Sequence, residues 1–223
     1  MIALFDLDGT LTDPKTGFTR SLQYALDKLG RPVPEADDLT WMIGPPIFAG
    51  FTQLLGGPDE VQEAVRLYRE RYGNVGLFEN DVYAGIPALL QHLQEKGIRL
   101  YVATSKLQVF ARRILDHFEL SRFFSGIYGS ELDNRNADKR DLIRHILDRE
   151  RFDPAGAVMI GDREHDAIGA KANGLASIGV TWGYGSRQEL HDAGVACLVD
   201  APQELAEPIL TRTATMPRRA ATP

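Results

Sequence analysis

Apolar residues fall along this chain in two rhythms. Short runs at 2–5, 98–103, 126–129, 157–160, 176–180 and 197–199 are mostly aliphatic or aromatic and bounded by turn or polar residues, the pattern of buried strands. From 88 onward, apolar positions recur every three or four residues between these runs, which predicts helices over 88–96, 109–118, 139–149 and 167–173. Residues from about 15 to about 80 show the helical rhythm alone. Phe18, Leu22, Ala25, Leu26 and Leu29 mark a first helix, and shorter ones follow through Leu39, Met42 and Ile43, over 47–55 and over 61–72. Gly44-Pro45-Pro46 and Gly56-Gly57-Pro58 break the segment, while Phe48, Phe51, Tyr68 and Tyr72 are expected to pack its interior.

Strand, crossover helix and strand in repetition imply an α/β fold, a Rossmann-like parallel sheet with helices on both faces. The helical stretch then reads as an insertion after the first strand. The expected division is an α/β core over 1–14 and 82–210, an all-helical cap over 15–81 hinged at Pro14 and the 80–87 loop, and a frayed tail over 211–223 without apolar periodicity.

In such sheets functional groups collect at the carboxyl ends of the strands. There the chain offers Asp6 and Asp8, then Thr104, Ser105 and Lys106, then Asp162 and Asp166; Lys139 opens a helix. Asp6 and Asp8, two apart in an extended chain, share a side, and Gly9 permits a sharp turn after them. Two carboxylates aimed at one point need a cation or a proton between them. Taken alone, the same residues read equally well as a polar turn closing an edge strand.

Composition narrows the classes. A hydrophobic content of 43% supports a real core, and a net charge of -6 argues against a nonspecific grip on nucleic acid, which needs clustered Lys and Arg. Cys197 is the single cysteine, which excludes an intramolecular disulfide and a cysteine-rich metal site and suggests a reducing compartment. Asp6 interrupts the first apolar run too early for a secretory signal, and no later run is long enough to span a membrane. A soluble, cytoplasmic monomer or homodimer is expected.

Taken together, Asp6-Leu7-Asp8-Gly9-Thr10, Thr104, Lys139 and Gly161-Asp162-Arg163-Glu164-His165-Asp166 make the chain resemble a haloacid dehalogenase superfamily phosphatase with a helical cap. Gly44-Pro45-Pro46, Gly129-Ser130-Glu131-Leu132-Asp133 and Gly169 to Gly174 resemble the phosphoglycolate phosphatase-like branch in particular, with Asn134 standing where glycine is expected.

The resemblance implies a Mg2+-dependent hydrolase of small phosphorylated metabolites that works through an aspartyl phosphate. Asp6 would be the nucleophile, and Asp8 the general acid and base. Asp8 would also meet the metal through its backbone carbonyl, Asp162 would ligate it directly, and Asp166 would hold its water. Thr104, Ser105 and the first loop with Thr10 would bind phosphoryl oxygens, and Lys139 would face the phosphate and Asp6. Lys106 competes for that last role, with a side chain expected to point away. Gly44 and Pro45 would lie over the substrate, and Lys15, Thr16 and Arg20 are open as anion contacts or solvated helix residues. A 5'-nucleotidase, a pyrophosphatase or a sugar-phosphate mutase fits the same motifs. A phosphoaspartate receiver fits less well, because it has no helical insertion and no use for Asp8.

Overall fold

The computed structural model describes residues 1–214. Its centre is a six-stranded sheet, every neighbouring pair parallel, of β1 (Ile2–Phe5), β4 (Arg99–Leu107), β5 (Gly126–Ser130), β6 (Ala157–Gly161), β7 (Ala176–Val180) and β8 (Cys197–Val199) in the order β5-β4-β1-β6-β7-β8. β1 is central, and its four residues are fully buried because both its faces are covered. Ala3 and Phe5 look toward α4 (Ile86–Glu95), α5 (Gln108–His117) and α9 (Ala206–Ala214), while Ile2 and Leu4 look toward α6 (Lys139–Glu150) and α7 (Glu164–Ala172). The expected α/β architecture is therefore present.

Between β1 and α4 the chain forms α1 (Lys15–Lys28), α2 (Ile47–Leu55) and α3 (Val61–Asn74). Phe18, Phe51, Tyr68 and Tyr72 pack edge to face or stacked within this unit. Its buried residues belong to the same hydrophobic cluster as one face of the sheet. Two short strands, β2 (Thr12–Asp13) and β3 (Asp81–Val82), pair antiparallel where the chain enters and leaves the helical unit. Two residues a side are too few to show a sequence period, so this ribbon was not foreseen.

Two further differences concern the carboxyl-terminal third. Residues 211–214, expected to fray, continue α9, which seats Ile209 in the core; 215–223 lie outside the described residues. The short helix α8 (Arg187–Asp192) was also not expected, although Ser186 caps it by accepting from the Glu189 N–H at 3.0 Å, a Ser-x-x-Glu signal visible in the chain. Among the described residues no helix is long and apolar enough to cross a membrane.

Candidate active site

The carboxyl ends of β1, β4 and β6 meet beneath α3 and the 44–46 turn. Oxygens of Asp6, Asp162 and Asp166 all lie within 4.8 Å of one another, and the three residues are buried. Glycines make this approach possible. A Cβ on Gly9, which has φ +78°, would fall 2.2 Å from an Asp162 carboxylate oxygen, and one on Gly161 would fall 2.1 Å from Asp166.

Lys139, at the first turn of α6, extends into the acid cluster. Its ammonium lies 3.0 Å from Asp6 Oδ1 and 2.6 Å from Asp166 Oδ1, and donates to the Ala103 carbonyl at 2.7 Å. Those contacts use its three N–H donors, so Lys139 holds the acids together. Burial opposes its charge, but Asp166 and Asp6 outweigh that and raise its pKa. Burial, followed by the neighbouring acids, pushes Asp162 up to about 8. Burial likewise raises Asp166 to about 6 against the pull of Lys139.

With all three carboxylates ionised, one ammonium leaves two formal negative charges, 3 − 1 = 2, in a buried place, which protons or a cation must offset. The donors are all hard oxygens, which suits Mg2+. The Asp8 carboxylate is not among these three residues, so a contact of Asp8 with such an ion would have to run through its backbone.

Asp8 instead pairs with Lys106, at 2.8 Å between Oδ2 and Nζ, and its Oδ1 is buried without a hydrogen-bond partner. Burial raises the Asp8 pKa above the usual carboxylate range, with Lys106 pulling the other way. The expectation that Lys106 points away is thus wrong. Its ammonium also donates to the Tyr72 hydroxyl and lies 4.3 Å from the centre of that ring.

The cause is a distortion of β4. Ala103 pairs with Tyr128 but Leu107 with Ser130, so β4 carries two extra residues across Thr104 to Lys106. Gly129 makes room, since a Cβ there would lie 2.5 Å from the Lys106 carbonyl oxygen.

Other sequence assignments also shift. Thr10 does not line the cavity; its hydroxyl donates to Asp162 Oδ1 at 3.2 Å, so it orients an acid rather than a substrate. Thr104, Ser105, Gly44 and Pro45 do line the cavity. The Ser105 hydroxyl is buried without a hydrogen-bond partner. Gly44, at φ +104°, lets the turn close on Arg163, whose guanidinium donates to the Ile43 carbonyl at 2.6 Å and to Glu189 at 2.8 Å. Lys15 pairs with Asp37 and Arg20 with Glu79, which makes them surface ion pairs rather than anion contacts. Asn134 has φ +66°, a left-handed conformation that asparagine tolerates, which explains its presence where glycine was expected.

The loop after β7 was missed altogether. The Tyr184 N–H donates to Asp162 Oδ2 at 2.8 Å, the Trp182 indole donates to the Thr10 carbonyl at 3.1 Å, and the Tyr184 hydroxyl donates to Asp13. Side chains on Gly183 or Gly185 would strike Asp162 within 2.4 Å. Trp182-Gly183-Tyr184-Gly185 just beyond a strand end was the available signal.

A cavity of about 260 Å3 opens over Asp6 and Asp8. Its far side is formed by Phe18, Ile47, Phe48, Tyr68, Arg69 and Tyr72 of the inserted helices, together with Phe110 of α5. The cavity is therefore polar at one end and aromatic at the other, the make-up of a small-molecule site.

Known proteins resemble this chain in sequence and fold. The family model for haloacid dehalogenase-like hydrolases matches residues 3–180. A 5'-nucleotidase of Pseudomonas aeruginosa is 53% identical over 189 residues, covering 84% of this chain and 85% of the relative. A tyrosine-protein kinase, PtkA, of Mycobacterium tuberculosis is 42% identical over 184 residues, covering 82% of this chain and 63% of the relative. The crystal structure of a predicted phosphatase from Clostridium acetobutylicum superposes with a TM-score of 0.91 at 43% identity, covering 94% of this chain and 98% of that one. The chain belongs to the haloacid dehalogenase-like hydrolases and is a phosphatase-type enzyme of that family.

Proposed function

We propose that the protein is a Mg2+-dependent phosphomonoesterase that forms an aspartyl phosphate on Asp6 and acts on a small phosphorylated metabolite. The observation that carries this reading is the convergence of three buried carboxylates on one ammonium around Asp6, at the polar end of a cavity whose far side is aromatic. Asp6, Asp162 and Asp166 would hold the ion, whose chemistry is to neutralise the carboxylates and the phosphate so that the two can meet.

Asp6 Oδ1 is occupied, accepting from the Leu7 N–H at 2.7 Å and pairing with Lys139, which leaves Oδ2 to attack phosphorus. Asp8, raised by burial and with Oδ1 free, gives its proton to the departing ester oxygen. The same carboxylate then takes a proton from the water that cleaves the aspartyl phosphate, releasing inorganic phosphate and restoring Asp6. Thr104 and Ser105 bind the phosphoryl oxygens during both displacements. Lys106, held between Asp8 and Tyr72, offers its remaining N–H to the ester.

The aromatic far wall favours a leaving group larger than the two carbons of glycolate, and the similarity to a 5'-nucleotidase points the same way. Nucleoside monophosphates are therefore preferred over phosphoglycolate as the first substrates to try. Residues 15–81 act as the cap that selects the leaving group, set on a core of 1–14 and 82–210. Asp6→Asn should abolish Mg2+-dependent phosphate release while the circular dichroism spectrum is retained. Wild-type turnover in that variant overturns the assignment.

A further inference from the structure

Seven basic side chains lie within the inserted helical segment. Five meet carboxylates: Lys15 meets Asp37, Arg20 and Arg71 share Glu79, Arg31 meets Glu60, and Arg66 bridges Glu63 and Glu70. Lys28 is exposed beside the Tyr24 ring. Arg69 differs from all of them. It is half-buried, it lines the cavity, and among the described residues no carboxylate lies within ion-pair distance of it. Its guanidinium carbon lies 5.5 Å from the centre of the Phe48 ring.

A partly desolvated charge without a partner is unfavourable, and here burial depresses the Arg69 pKa below its ordinary value. The neighbouring side chains cannot relieve it. Phe48, Phe18 and Ile47 are apolar, and burial holds the phenols of Tyr68 and Tyr72 neutral. Contact with the Phe48 ring restrains the guanidinium while its N–H groups remain available as a fixed fork for paired acceptors. Asp8 and Lys106 stand on the wall that receives the ester oxygen, so a group reaching Arg69 belongs to the part of the substrate that leaves.

We infer that Arg69 determines substrate specificity by donating to an acceptor pair on the leaving group, either a carboxylate or the acceptor edge of a nucleobase. This rests on the phosphomonoesterase reading above and names the chemistry that the cavity selects.

The test compares Mg2+-dependent kcat/KM of the wild type, Arg69→Leu and Arg69→Lys on three probes. A nucleoside 5'-monophosphate and phosphoglycolate carry the two kinds of acceptor, and phenyl phosphate carries neither. The ratio of kcat/KM for an acceptor-bearing ester to that for phenyl phosphate should fall roughly ten- to a hundredfold in Arg69→Leu, the range for loss of hydrogen bonds to a charged group. KM should carry most of the change, because ground state and transition state share the contact. Arg69→Lys should restore part of the ratio for the carboxylate ester and less for the base, which needs the fork. The probe whose ratio collapses identifies the acceptor. If the wild type hydrolyses the panel and both ratios stay unchanged in Arg69→Leu, the role of Arg69 is refuted alone. A wild type inert toward all three esters refutes the phosphomonoesterase reading and the inference with it.

Discussion

Below the cavity, Asp6, Asp162, Asp166 and Lys139 crowd into a few ångströms; above it, Phe18, Phe48, Tyr68 and Tyr72 form a wall that also carries the Arg69 guanidinium. The lower region is stabilised by opposed charges that lose their balance when one member is removed. The upper region is stabilised by ring packing within a hydrophobic cluster shared with the sheet. A change in the first should therefore alter both stability and rate, and a change in the second should redistribute preference among substrates.

Lys139→Met should have the largest effect. Three buried acids would lose their shared ammonium, which costs about 3–5 kcal/mol when one partner of a buried pair is removed. Melting temperature and phosphate release should both fall, with added Mg2+ recovering part of the stability but little of the rate. An unchanged melting temperature would mean that the acids are less tightly coupled than their distances imply.

Gly129→Ala comes next, because its Cβ would press on the Lys106 carbonyl and the Gln108 backbone. A loss of about 1–3 kcal/mol is expected from such overpacking, with a fall in kcat as the β4 distortion relaxes. Stability loss without any change in kcat would show that Lys106 reaches Asp8 independently of that distortion.

A pH series on chelator-treated protein examines the charged region alone. Asp162 and Asp166 sit at about 8 and about 6, above the unfolded value near 3.9, so the folded state holds the extra protons. The contribution of these two acids to stability should be fully present below about pH 4 and be lost as pH rises through about 6 and about 8. Because a cation must replace those protons, the Mg2+-induced rise in melting temperature should be larger at pH 8 than at pH 5.5. A rise equal at both values would contradict the three-acid site.

Tyr72→Phe should have the smallest effect. The ring and its packing remain while the hydrogen bond to Lys106 is lost, for about 0.5–1.5 kcal/mol. A severalfold fall in kcat/KM with a near-normal melting curve is expected.

The lower region was more legible in the sequence than the upper one. Asp6, Asp8, Thr104, Asp162 and Asp166 each follow a short apolar run, and a parallel sheet gathers such positions at one end. Lys106 was misjudged because its direction depends on extra residues in β4 accommodated by Gly129, far away in sequence. Thr10 was misjudged because its hydroxyl partner, Asp162, lies 152 residues on. Arg69 stood in a helix full of charges, and only the pairing of its neighbours in three dimensions distinguishes it. α9 escaped notice because Pro208 interrupts the pattern although Leu205 and Ile209 are both buried.

The position of β1 in the sheet has a consequence for how the chain is made. β1 is synthesised before the other strands, yet its ladder partners begin at Arg99 and Ala157. Its backbone hydrogen bonds must wait for roughly a hundred, then more than a hundred and fifty, residues of later synthesis, the long-range topology that slows folding. Until then the strand exposes two unpaired edges and an apolar sequence, so a nascent chain halted before β6 is the species most in need of a chaperone. Asp6 and Asp8 ride on the end of that strand, and the cluster of acids comes into being only after the fourth of the six sheet strands has been made.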